Sequence, residues 1–378
     1  MVEIGMGRTA RRTYELGEIN IVPSRRTRSS QDVSTGWQLD AYRFDIPVIA
    51  HPTDALVSPD FAIELGRLGG LGVLNGEGLI GRHADVEGCI ARVVEAADKQ
   101  VDPAVPVRML QQLHAAPLDL DLLGEAVARV REAGVTTAVR VSPQNAQALT
   151  PTLVAAGIDL LVIQGTIISA ERVTQGRDGG EPLNLKTFIS ELDVPVVAGG
   201  VADHRTALHL MRTGAAGVIV GYGSTAGVTT SDEVLGISVP MATAIADAAA
   251  ARREYLDETG GRYVHVLADG DIHTSGELAK AIACGADAVM LGTPLATAAE
   301  ALGGGWYWPS AAAHPSLPRG ALLQVALGER PSLDRVLNGP SDDPFGSLNV
   351  VGGLRRSMAK AGYCDLKEFQ KVELTVGS

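Results

Sequence analysis

The sequence predicts an α/β fold of the (β/α)8 type, with parallel strands closed into a barrel and helices outside it. Eight short apolar runs recur along the 378 residues, the strand number such a barrel requires. Helix-period segments separate most of them. Glycine stops such as Gly69-Gly70-Leu71-Gly72 and Cys284-Gly285-Ala286-Asp287 stand just before strands. Aromatics make up only 4% of the chain, while Ala, Gly, Val and Leu abound. Small-residue packing of helices on doubly buried parallel strands suits that composition better than an aromatic-rich sandwich.

Taken in order, residues 1–40 read as a polar, irregular N-terminal arm punctuated by Val22-Pro23 and Asp32-Val33-Ser34. The apolar runs predict strands at 47–50, 71–74, 138–141, 160–163, 195–198, 217–220, 264–268 and 288–291. Helical spacing falls between them at 60–68, 145–156, 185–191, 206–213 and 241–256. The wider gap at 78–135 holds two further helical patterns, 85–97 and 120–132, separated by a Pro-rich break at 101–106. It is too short for a separate domain of ordinary size. After Pro294 the barrel pattern stops. A single domain is expected, with an arm at 1–40, the barrel at 41–300, and at 301–378 a Gly/Pro/Trp-rich, flap-like loop and a tail with a helix near 354–361.

The net charge of −12 argues against general nucleic-acid binding. Five arginines between Arg11 and Arg28 read as a solvated arm or a subunit contact. Cys89, Cys284 and Cys364 form no spaced ligand set and read as reduced thiols. No run approaches the ~18 apolar residues of a spanning helix, and the N-terminus has no apolar signal region, so a soluble, cytoplasmic protein is expected. His51, His83, His204 and His209 lack the context of metal ligands and are expected on the surface or in packing; no metal site is expected.

The chemistry concentrates in Tyr263–Thr293. Two apolar runs flank helical spacing over 275–284, with Ser275 as candidate N-cap and Gly285 just past the helix end. Each run ends in a turn, Asp269-Gly270-Asp271 and Gly292-Thr293-Pro294. Such turns lie at the carboxyl ends of barrel strands, where ligands bind. Their backbone N–H groups suit a phosphate, and Asp269 at a strand tip can accept both hydroxyls of a ribose.

These residues resemble the nucleotide-binding core of the IMP dehydrogenase and GMP reductase family. The resemblance extends over nearly the whole chain in order. It takes in Tyr14 to Pro23, Ile46–Asp54, Gly69–Val73, Ala156–Asp159, Val197–Val201, Gly236–Pro240, Val351–Arg355 and Gly362–Cys364. It implies a TIM barrel, a purine nucleoside monophosphate as ligand, NAD as cofactor, a role in guanine nucleotide synthesis (IMP to XMP), and a homotetramer or octamer. The segment 78–135 cannot hold the CBS modules usual after the second strand, so this is similar to the short actinobacterial members.

The family's reaction begins with a cysteine thiolate attacking the purine. Anchored on Glu233-Val234-Leu235-Gly236, that position is Thr229, in a loop that holds no cysteine. A hydroxyl is a weak nucleophile unless a base activates it, and no sequence neighbour is an obvious base. The resemblance assigns Asp269 to ribose and Gly270, Gly292, Thr293 and Gly227 to the nucleotide. It assigns Gln164, where the family has an aspartate, and Gly165 to the cofactor. Ala50 stands in place of a serine and Leu327 in place of a glutamate; Tyr307, His314 and Arg319 are available on the flap-like loop, and His273 follows the Asp269 turn. The family's potassium site uses carbonyls of the cysteine loop, which differs here, so potassium is not relied on. A non-catalytic purine-monophosphate-binding regulator and a GMP reductase-like enzyme stay open as alternatives.

Overall fold

The computed structural model of the chain describes all residues except 100–101, 166–167, 169–182, 224–230, 317–319 and 378. Eight strands form a closed barrel: β1 Val48–Ala50, β2 Leu71–Asn75, β3 Ala138–Val141, β4 Leu160–Gln164, β5 Val196–Val201, β6 Gly217–Val220, β7 His265–Asp269 and β8 Ala288–Leu291. Each pairs in parallel with the next, and β8 closes on β1 through Met290 opposite Ile49. The predicted strands hold to within a few residues at every end. Their side chains are almost all buried, which is why their apolar runs were continuous rather than alternating.

Helices surround this barrel: α1 Pro59–Arg67, α2 Val86–Asp98, α3 Ala104–His114, α4 Leu120–Glu132, α5 Ala146–Ala156, α6 Leu185–Ser190, α7 His204–Met211, α8 Ser231–Leu235, α9 Met241–Thr259, α10 Ser275–Ala283 and α11 Thr293–Ala296. Local chemistry sets their limits. For α1, the Ser58 side chain accepts from Phe61 N and Pro59 opens the first turn, where its missing N–H costs nothing. Its close approach to β2 requires glycine, since a Cβ on Gly72 would lie 2.5 Å from Ala62 Cα. The cap of α10 is Thr274 rather than the expected Ser275. Its hydroxyl accepts from Glu277 N while the Glu277 carboxylate returns to Thr274 N, a reciprocal capping box. Gly285 follows with φ of +118°, as a left-handed helix stop requires.

Two expectations change. The Pro-rich stretch at 101–106 is not simply a break, because α3 starts inside it: Pro103 is the N-cap and Pro106 sits in the first turn, where proline is tolerated. The apolar side of α3 carries His114, whose Nε2 lies 3.0 Å from the buried Asp54 Oδ2. The arm at 1–40 is also more ordered than its polarity suggested. Val2–Gly5 and Arg8–Ala10 form a hairpin, and Ile19–Ile21 pairs with Leu374–Val376 of the tail. A second hairpin, Trp37–Leu39 with Tyr42–Phe44, plugs the amino-terminal end of the barrel. There Leu39 is fully buried against the start of β6 at Gly217, and the Trp37 ring stacks on Phe44 at 5.0 Å.

The tail adds α12 Leu333–Asn338, α13 Val350–Lys360 and α14 Leu366–Phe369. The flap-like loop is anchored by a short ladder, Trp306–Tyr307 with Leu323–Gln324, and Tyr307 and Trp308 are buried on the barrel rim. Among the described residues, no helix is long and apolar enough to cross a membrane.

Candidate functional site

The carboxyl ends of the strands open on a cavity of about 610 Å3, within the size range of small-molecule sites. Its walls come from most of the strand tips: His51 after β1, Arg140 on β3, Gln164 and Gly165 at β4, Ala202 after β5, Gly221–Gly223 after β6, and Gly270 and Asp271 after β7. Tyr307 and Ser310 close it from the flap-like loop, and Glu15 reaches it from the N-terminal arm.

Asp269 ends β7 beneath this floor and is only 1% exposed. Gln164 donates from Nε2 to Asp269 Oδ2 at 2.6 Å, so the residues assigned to ribose and to cofactor are joined across the barrel mouth. A carboxylate has about four acceptor sites, which leaves others for ligand hydroxyls. The Gln164 backbone carbonyl accepts from Arg140 Nη2 at 2.8 Å, and Arg140 Nη1 lies 3.2 Å from Glu77 Oε2. Burial pulls the Arg140 guanidinium below its usual range while the Glu77 carboxylate pulls back. Glu77 is held in turn by the Ser142 hydroxyl at 2.9 Å and by Asn145. Gly165 is tied to the β5 tip: its N–H donates to Gly199 O at 2.9 Å and its carbonyl accepts from Gly200 N at 3.1 Å.

His51 corrects an expectation. It was read as a surface or packing histidine, but it lines the cavity, with Nε2 3.5 Å from Asp269 Oδ2. Its Nδ1 is buried, with no hydrogen-bond partner among the described residues. A Cβ on Gly223 would stand 3.6 Å from His51 Nε2 and 3.9 Å from Asp269 Oδ2. The loop that carries Thr229 therefore begins against the imidazole.

On the other wall, the turns of β7 and β8 converge. Thr293 Oγ1 lies 3.0 Å from His273 Nδ1, and His273 Nε2 lies 3.7 Å from Asp271 Oδ1. Gly292 is covered by the flap-like loop, where the Tyr307 hydroxyl would meet a Cβ at 2.7 Å. Burial, then the charges of Asp269 and Asp271, hold the Tyr307 phenol protonated and well above its usual range. Its hydroxyl faces this turn.

The structure thus brings together Asp269, Gly270, Gln164 and Gly165, with Gly292 and Thr293 adjoining behind Tyr307. Thr229 and Gly227 lie outside the described residues, as does Arg319. Leu327 is 78% exposed and is absent from the cavity wall. No cysteine lines the cavity among the described residues. Cys284, at the end of α10, is pushed up to about 12 by burial, which removes it as a nucleophile at neutral pH. His83 and His204 take the structural roles expected of them, on Leu113 O and Glu254 respectively. Sequence reasoning missed His51, Glu15, Glu77 and Arg140. The available signal for His51 was its position directly after a strand, at the barrel's carboxyl end.

Comparison with known proteins identifies the fold and the family. The pattern of the IMP dehydrogenase / GMP reductase domain matches residues 13–312. An uncharacterized oxidoreductase of Mycolicibacterium smegmatis is 88% identical over 378 residues, covering 100% of both chains. An uncharacterized oxidoreductase of Mycobacterium tuberculosis is 85% identical over 377 residues, again across 100% of each. The inosine-5'-monophosphate dehydrogenase of Aquifex aeolicus is 34% identical over 235 residues, 58% of this chain and 44% of that one. The crystal structure of an IMP dehydrogenase/GMP reductase-like protein from Corynebacterium glutamicum superposes with a TM-score of 0.92 at 59% identity, covering 100% of this chain and 97% of that chain. With the domain pattern matched over residues 13–312 and the fold superposing over the whole chain, the chain belongs to the IMP dehydrogenase/GMP reductase family of oxidoreductases.

Proposed function

We propose that the protein is an oxidoreductase of a purine nucleoside monophosphate, converting IMP to XMP with NAD as oxidant, in guanine nucleotide synthesis. The observation that carries the reading is Asp269 at the tip of β7, followed by Gly270 on the wall of a cavity large enough for a purine nucleotide. Ribose hydroxyls donate to the Asp269 carboxylate. The phosphate lies toward the turns of Gly270 and Gly292, with the Thr293 and Tyr307 hydroxyls as donors.

Gln164, Gly165, Ala202 and Tyr222 also line the cavity, and in this reading they seat a flat ring of the dinucleotide beside the purine. Gln164 keeps an amide oxygen as acceptor while its Nε2 donates to Asp269. When bound, NAD supplies the two-electron oxidation. The chain's own task is to seat the purine, exclude bulk water and take up a proton. A cytoplasmic homotetramer or octamer without nucleic-acid or membrane partners completes the reading. Potassium has no assigned part in it.

A second reading, a purine-monophosphate-binding regulator without turnover, draws on the cysteine-free loop and on the hydrogen bond that ties Gln164 to Asp269. A GMP reductase-like enzyme would use the same nucleotide wall. Titration calorimetry with IMP and an Asp269→Ala variant tests the shared part. Loss of charge-assisted hydrogen bonds to the ribose weakens binding on the order of 100-fold, with an unchanged circular dichroism spectrum. Unchanged affinity in that folded variant would remove the ribose assignment.

A further inference from the structure

We propose that His51 is the proton acceptor of this site and that it turns a water bound in the cavity into the oxygen nucleophile, in a site with no thiol among its described residues. The inference rests on the purine-nucleotide reading above.

Among the described residues the cavity offers few groups able to take a proton. Glu15 Oε2 accepts from Met241 N at 3.0 Å, at the start of α9. Glu277 Oε2 accepts from His273 N at 2.8 Å and Thr274 N at 3.0 Å, at the start of α10. Both carboxylates thus serve as helix caps. Arg140 is a cation. Tyr222 and Tyr307 are held protonated by burial. Asp271 is turned to His273. Asp269 accepts from Gln164 and, in the reading above, is taken up by the ribose hydroxyls. Asp232 is exposed on α8.

His51 differs from all of these. Its Nδ1 is sealed in the protein, so proton traffic runs through Nε2. Nε2 faces the point where β1, β7 and the loop after β6 meet. A proton arriving there lands 3.5 Å from the Asp269 carboxylate, which offsets the imidazolium charge. Gln164, hydrogen-bonded to that same oxygen, fixes the carboxylate in place. A histidine nitrogen on the cavity wall, with a fixed carboxylate beside it to offset the charge it takes up, is equipped to act as a general base.

In the step itself, the water oxygen forms a bond to an electron-poor carbon of the purine. The π pair of that carbon–nitrogen double bond moves onto the ring nitrogen. One water proton passes to His51 Nε2. The oxidation that follows consumes the dinucleotide named above and asks nothing further of His51.

The test compares wild type with His51→Gln and His51→Ala, using IMP and NAD. Each variant is first checked for fold by circular dichroism and for IMP affinity by calorimetry. The expected result is turnover at least about 100-fold lower with IMP affinity within a few-fold of wild type, and partial recovery of His51→Ala by added imidazole. Independently of turnover, acylation of His51 by diethyl pyrocarbonate, read by mass spectrometry, should be blocked by IMP. Wild-type rates in His51→Gln would overturn the inference and leave the purine-nucleotide reading standing. So would acylation unaffected by bound IMP, or an affinity loss that accounts for the whole effect. A wild-type protein that binds IMP yet never oxidises it would overturn both.

Discussion

At the scale of single residues, the site turns on one hydrogen bond. Gln164 stands where the resemblance led one to expect an aspartate, and its amide donates to Asp269 Oδ2 at 2.6 Å. A carboxylate at position 164 would meet the Asp269 carboxylate at that distance, and two such groups must share a proton or separate. The amide is therefore matched to its neighbour. Gln164→Glu should cost roughly 2 kcal/mol of stability and lower the melting temperature by a few degrees, measurable by differential scanning calorimetry at neutral pH. An unchanged melting temperature would show that the pair does not constrain the site. Asp269 and Gln164 were legible because strand-tip position and residue type suffice to nominate them. Their bond to each other was not, since 105 residues separate them and strand register decides the contact. His51, Glu77 and Arg140 were hidden for the same reason: each gains meaning only from a neighbour on another strand tip.

Among the elements, the unit β7–α10–β8 carries the candidate site at one end and stability at the other. Asp287, buried just before β8, accepts from Arg252 Nη1 at 2.8 Å, Tyr263 Oη at 2.8 Å and Val266 N at 2.9 Å, and also from Lys367 of α14. Beside it, His265 opens β7 between the Trp37 and Tyr263 rings and accepts from Asp40 N at 3.4 Å. Burial holds the His265 imidazole down to about 4, with Asp287 pulling the other way. In the unfolded chain it titrates near 6.5. Its contribution is therefore complete above pH 6.5 and is lost as pH falls toward 4, amounting to about 3 kcal/mol. For Asp287, burial would raise the carboxyl, but Arg252, Lys367 and His265 outweigh it and hold it at about 2, so its contribution fades only below about pH 4. The melting temperature should fall between pH 6.5 and 4, and His265→Phe should flatten that fall relative to wild type. Parallel pH profiles for the two proteins would contradict the assignment. The elements themselves were largely legible, because doubly buried strands write continuous apolar runs and helices write caps. α3 was not, because Pro103 and Pro106 read as a break although both fall where a helix tolerates proline.

At the level of the whole molecule, arm and tail close what the barrel leaves open. The hairpin over Trp37–Phe44 seals the amino-terminal end, the Ile19–Ile21 strand pairs with the tail, and Glu15 reaches around to the carboxyl-terminal cavity. The pairing of arm with tail was not visible in a polar, arginine-rich arm, because partners more than 300 residues away leave no local signal. The closed eight-strand order was visible, because each βα repeat announces itself. The proposed function asks this family barrel to oxidise a purine nucleotide with no cysteine in the loop after β6. The most direct measurement is formation of reduced dinucleotide by the pure wild-type protein supplied with IMP and NAD. Reduced dinucleotide and XMP should form in equal amounts, dependent on both substrates. IMP binding with neither NAD binding nor XMP formation would contradict the proposed function and leave a nucleotide-binding regulator in its place.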